Sequence, residues 1–112
     1  MDTFDEPETL RSEFASDPDM GELVELFLEE LPDRVDEIRE SLQNHDTETV
    51  RRLSHQMKGA AGGYGYPSIT DAAGRIESLI NSDDTQDALA KIEEGVEVLC
   101  RLCAAAIRGK AA

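Results

Sequence analysis

His55, Lys58, Gly59 and Gly62 share one face of a predicted helix, at offsets from the histidine of plus three, plus four and plus seven. Arg51, at minus four, joins them. An imidazole flanked by cations is suited to phosphoryl chemistry: its neutral form is a nitrogen nucleophile near neutral pH, and adjacent Lys and Arg side chains can hold phosphoryl oxygens. On a helical wheel of residues 50–64, His55 lies roughly 170° from the centre of the apolar stripe, which turns it to solvent. A satisfied core histidine is thereby excluded, and an inert surface histidine is the remaining plain reading.

The surroundings argue against inertness. Residues 49–70 contain no Asp or Glu in a chain that has 25, while Arg51, Arg52 and Lys58 supply three of its 11 basic residues. This forms an island of positive charge along the sequence. Gly59 is a second anomaly, because glycine inside a helix costs about 1 kcal/mol relative to alanine. At plus four it clears the flank of the imidazole, so that a phosphoryl group or a partner backbone can come close. The wheel turns Gly59 and Gly62 away from the apolar stripe, which argues against a neighbouring helix as their reason.

The run His55-Gln56-Met57-Lys58-Gly59-Ala60-Ala61-Gly62-Gly63-Tyr64-Gly65 resembles the HxxKGxxxxxG signature of histidine phosphotransfer domains. The likeness extends from about Asp17 to Ile107, with a proline-containing helix before the motif and two helices after it. Tyr64 stands where an aliphatic residue is common, and Tyr66-Pro67 replaces a more ordinary helix entry. The resemblance implies an all-α carrier in which His55 takes a phosphoryl group, on Nε2, from the phospho-aspartate of a receiver domain and yields it to another. Lys58 would stabilise the phosphoryl oxygens and Gly59 would give steric clearance. Arg51, Arg52, Gln56 and Gly62 would contact the partner.

The same resemblance implies response-regulator receiver domains and a hybrid sensor histidine kinase as partners. Mg2+ would be supplied by the receiver, with no cofactor or metal bound by this chain and no kinase site of its own. Two other readings remain open: an acidic helical adaptor that binds a receiver without being phosphorylated, and the phosphoacceptor domain of a chemotaxis-type kinase. Met1 and the acidic lead-in favour a free-standing carrier. GxxxxGK[ST] and GxGxxG are both absent, so the glycines are not a nucleotide loop.

The elements that position this face are legible from periodicity. A short helix is expected over residues 7–15, with Pro7 at its first turn and Leu10 and Phe14 on one side. Asp17-Pro18 reads as the start of a long helix with apolar positions Leu23, Phe27, Leu31, Val35, Ile38 and Leu42; Pro32 should kink it without dividing it, because the stripe continues in phase. Asp46 or Thr47 caps the helix bearing His55, whose buried stripe is Val50, Leu53, Met57, Ala61 and Tyr64. Gly65 ends that helix. Pro67 opens the next, with Ile69, Ala72, Ala73, Ile76 and Ile80 inward. A last helix from about Asp84 carries Leu89, Ile92, Val96, Leu99, Cys103 and Ile107. The expected fold is all-α, an antiparallel four-helix bundle with a short extra N-terminal helix, in one domain over 1–112 with the bundle at about 17–108.

Composition bounds the function. The formal net charge of −14 excludes a nucleic-acid partner, because phosphate contacts need surplus Lys and Arg. No apolar run is long enough to span a bilayer and no basic leader precedes one, so a cytoplasmic protein is expected. A bundle that closes its own core is expected to be a monomer. Cys100 and Cys103 form a CxxC within a helical pattern, lacking the second ligand pair of a zinc site or the preceding strand of a thioredoxin-like motif, and read as reduced core residues. A metal or enzyme site built from His45, His55 and the cysteines is disfavoured, because the helices separate them.

Overall fold

A computed structural model of the protein describes residues 8–82 and 88–110. Four helices account for most of them: α1 (Gly21–Gln43), α2 (Thr47–Gly63), α3 (Pro67–Asn81) and α4 (Ala88–Lys110). The connections at 44–46 and 64–66 are too short to do anything but reverse the chain, so consecutive helices lie side by side in antiparallel pairs. α1 packs on α2, α2 on α3, α3 on α4 and α4 back on α1, which closes the ring of an all-α four-helix bundle.

The core is aliphatic because each helix repeats apolar residues at three- and four-residue intervals. Phe27, Leu31 and Ile38 of α1 meet Val50, Met57 and Ala61 of α2, Ile69, Ala73 and Ile76 of α3, and Ile92, Val96, Leu99 and Cys103 of α4. The Phe27 ring stacks on Tyr64 with centroids 5.0 Å apart and lies 5.8 Å from that of Tyr66. The aromatic α2–α3 corner is thereby fixed against α1. α1 runs unbroken through Pro32, whose ring stays on the exposed side.

The expected short N-terminal helix is absent from residues 8–15, which run as turns and irregular chain across one end of the bundle. Their polar groups are claimed by other elements: Leu10 N–H donates to Ala105 C=O at 2.9 Å and Glu13 N–H to Gly65 C=O at 2.9 Å. The Ser12 hydroxyl donates to Tyr64 C=O at 2.5 Å and accepts from Phe14 N–H at 2.9 Å. Leu10 and Phe14 do pack inward, so their four-residue spacing serves a strap and not a helix turn. Pro7 lies outside the described residues, as does Asp84.

The Asp17-Pro18 signal marks a turn and not the helix start itself. Asp17 Oδ1 accepts from Asp19 N–H at 2.8 Å and its carbonyl accepts from Met20 and Gly21, and α1 begins only at Gly21. Leu23 and Leu89, expected inside, are 43% and 42% exposed. Val24 and Leu28 take the buried places near the start of α1, one position on from the expected stripe.

Candidate functional site

α2 is set in place at its first turn. The Asp46 carboxylate accepts from Thr49 N–H at 3.1 Å and from the Thr49 hydroxyl at 2.6 Å. These bonds to the charged form hold the Asp46 carboxyl below its ordinary value. From that start, Val50, Ser54, Met57 and Ala61 turn into the core. The opposite face must then carry His55, whose side chain is 62% exposed.

His55 does not stand alone. Its Nδ1 lies 2.8 Å from Oε2 of Glu77, and Oε1 of the same carboxylate lies 3.2 Å from Lys58 Nζ. Glu77 comes from α3 and is only 14% exposed. Lys58, the larger influence, and His55 together hold its carboxyl below the usual range. The acid-free stretch of sequence is therefore not acid-free in space. α3 places a carboxylate between His55 and Lys58.

The other basic residues are distributed around this centre. Arg51 pairs with Glu48 one turn back, its Nε 3.1 Å from Oε2 and its Nη2 on Oε1, an arrangement that lowers the Glu48 carboxyl and raises the guanidinium. Arg52 and Gln56 are exposed but face the groove between α2 and α1, beside Glu30, Asp33, Arg34 and Glu37. His55, Lys58 and Arg51 thus gather on the α3 side of α2, and Arg52 and Gln56 on the α1 side.

The two glycines placed on the His55 face, Gly59 and Gly62, differ. A Cβ placed on Gly59 meets nothing within 4 Å, so this position of α2 opens onto free space. A Cβ on Gly62 would stand 3.3 Å from the Thr70 hydroxyl of α3. Gly62 therefore has a packing reason of the kind the wheel argued against. The wheel drew one helix in isolation, and α3 covers the flank of α2 as well as its apolar centre.

Among the described residues no group of three or more His, Cys, Asp or Glu side chains is placed to hold a metal ion. His45 occupies the α1–α2 turn with φ of 59°, a left-handed conformation, while Cys100 and Cys103 are free thiols buried in α4. Burial pushes the Cys103 thiol up to about 12. It raises Cys100 as well, against the opposing Arg39 guanidinium, whose Nε donates to Sγ at 3.1 Å. No described helix is long and apolar enough to cross a membrane.

Glu77, Thr70 and Gly74 are the site-bordering residues that the sequence reading missed. They lie at i, i+4 and i+7 of α3, a polar and small-residue stripe flanking its apolar one. An interior glycine between two polar residues on that stripe was the available signal.

Residues 22–109 match the family model of the Hpt domain. A search of curated proteins and a search of solved structures each return no match. The family match spans all four helices and includes His55, Lys58 and Glu77, and Hpt domains are phosphoryl carriers, not kinases, that work with receivers and kinases in two-component phosphorelays. The chain belongs to the Hpt domain family.

Proposed function

We propose that His55 is the phosphoacceptor, taking a phosphoryl group on Nε2 from the phospho-aspartate of one receiver domain and delivering it to the aspartate of another. The observation that carries this reading is the 2.8 Å contact between His55 Nδ1 and the Glu77 carboxylate. A carboxylate accepts only, so the contact assigns the neutral ring's proton to Nδ1 and leaves the lone pair on Nε2. Attack by that lone pair forms the N–P bond as the acyl-phosphate P–O bond breaks, and the receiver aspartate departs as a carboxylate. The ring keeps its Nδ1 proton and becomes cationic, beside an anion already in place. In the reverse direction the N–P bond electrons return to Nε2 and regenerate neutral imidazole.

Lys58 lies one turn from His55, and its ammonium is 3.2 Å from the same Glu77 carboxylate that meets the ring. Its role in this reading is to offset phosphoryl charge. Glu77 is a single carboxylate with both oxygens engaged, which does not make a cation cage. In this scheme the receiver supplies Mg2+. Gly59 gives the receiver room beside His55, while Arg51, and Arg52 and Gln56 across the ridge of α2, border the docking face. A hybrid sensor kinase would supply the first receiver.

The test is incubation of the protein with a phosphorylated receiver and Mg2+. Acid-labile, base-stable phosphate should appear on the wild type and be absent from His55→Gln, with stability lowered by no more than about 1 kcal/mol, the scale of one exposed pair with a carboxylate. Uptake retained by His55→Gln would overturn the assignment.

A further inference from the structure

Lys58 is gripped at successive points by one face of α3. The Thr70 hydroxyl donates to the Lys58 carbonyl at 3.0 Å. The lysine stem then crosses Gly74, where a Cβ would stand 3.1 Å from Lys58 Cδ and 4.0 Å from Cγ. Beyond the glycine, the ammonium reaches Glu77 Oε1 at 3.2 Å. Thr70, Gly74 and Glu77 lie at i, i+4 and i+7, so they form a single stripe along α3.

Gly74 is an interior residue of a helix, where alanine would be the better helix former. Its φ is not in the left-handed region, so backbone conformation does not demand glycine. Among the described residues, the atoms within 4 Å of a Cβ there, apart from its own helix, are those of the Lys58 stem. The neighbour that explains the glycine is therefore a functional side chain and not a core one.

We propose that the Thr70–Gly74–Glu77 face of α3 is a cradle that sets the course of Lys58, with Gly74 as a positioning residue that keeps the lysine stem low enough for its ammonium to lie beside His55. The inference rests on the phosphoacceptor reading above for its consequence, and on the α2–α3 geometry alone for its structural content. Even a methyl group at position 74 requires the flexible stem to give by a few tenths of an ångström. That shift is cheap for the fold but moves the charge. A longer side chain would lift the lysine out of the slot.

The experiment is a double-mutant cycle: Gly74→Ala and Gly74→Leu, each made with Lys58 present and with Lys58→Ala. Phosphoryl uptake is driven by phosphoramidate, a small donor whose P–N bond breaks to release ammonia as the His55 Nε2–P bond forms, and independently by a phosphorylated receiver. With Lys58 present, Gly74→Ala should slow uptake by about threefold and Gly74→Leu by about tenfold, the scale of weakening one charged hydrogen bond. With Lys58 replaced by Ala, the same changes at 74 should alter the remaining rate by less than about twofold, the limit of additive behaviour.

A carbon-13 titration of the Glu77 carboxyl supplies a readout that a general packing defect would not move. Its midpoint should rise toward the ordinary glutamate value in the Gly74 variants as Lys58 is displaced, while melting of Gly74→Ala is not lowered. Equal slowing in both Lys58 backgrounds would overturn the positioning role, and so would an unmoved Glu77 midpoint. Failure of the wild type to take phosphate from either donor would sink the phosphoacceptor reading instead, and the Glu77 titration would still decide whether the cradle exists.

Discussion

Replacement of Gly59 separates a stability effect from a docking effect by their opposite signs. Gly59 lies inside α2, and a Cβ placed there meets nothing within 4 Å, so alanine relieves the conformational penalty of glycine without creating a clash. The gain expected for Gly59→Ala is about 1 kcal/mol. With an unfolding entropy of about 2.1 cal/mol/K per residue over 112 residues, this raises the melting temperature by about 4 °C. Gly59→Leu should retain most of that gain, because leucine is nearly as good a helix former as alanine and its side chain has open space to enter. Gly62→Ala should gain less, because its new methyl meets the Thr70 hydroxyl at 3.3 Å. Receiver binding should move the other way. A leucine side chain projecting beside His55 occupies space that a docked partner needs, and overpacking of about 1–3 kcal/mol converts to a loss of affinity of about fivefold to a hundredfold. The assay is thermal melting and calorimetric titration with a receiver on the same samples. A more stable Gly59→Leu protein with unchanged receiver affinity would refute the clearance argument. A destabilised Gly59→Ala would refute the description of this face as open.

Glu77 gives a prediction for pH. Its carboxyl is held below the ordinary value in the folded protein by Lys58 and then His55, so the contribution of these contacts is complete above the ordinary glutamate pKa and is lost as pH falls through the lowered folded value. A chain of net charge −14 also loses self-repulsion on acidification, so the measurement is the site-resolved titration and not the global melt; a midpoint at or above 4.5, the ordinary glutamate value, would refute the pairing. Glu77→Gln should slow phosphoryl transfer several-fold, and a rate equal to wild type would remove Glu77 from the mechanism. At the other end of the molecule, a Cβ on Gly109 would run into the Leu10 carbonyl oxygen. Gly109→Ala should displace the strap, break the Leu10–Ala105 and Arg108–Glu8 hydrogen bonds, and cost about 2 kcal/mol. Hydrogen exchange at the Leu10 amide checks it: protection equal to wild type would show that the strap had not moved.

What the sequence made legible follows from how local each feature is. Helix periods, the Asp46 cap, the Gly65 stop with φ of 85° and the Pro67 entry are encoded within a few residues, and all appear in the structure. His55 was readable as exposed because a single wheel decides it. The N-terminal strap was not readable, because Leu10 and Phe14 at four-residue spacing satisfy a helix and a strap equally, and only Ala105 and Gly65 in space tell them apart. Glu77 was hidden for the same reason: 22 residues separate it from His55, and the acid-free window on α2 says nothing of what α3 brings beside it. The Gly62 reading failed where one helix was treated as if it had no flank.

The interior glycines of the helices tie these points to function. Each costs helix stability, so each calls for a neighbour that needs the space. Gly95 has one in Ile76, whose Cγ1 a Cβ would meet at 3.2 Å, a packing reason between α3 and α4. Gly109 has the strap. Gly74 has the stem of Lys58, the side chain proposed above to serve His55. Gly59 has none within 4 Å among the described residues, although it lies one turn from His55. A glycine that weakens its helix and makes room for no described residue of its own chain fits the receiver docking proposed above for the His55 face.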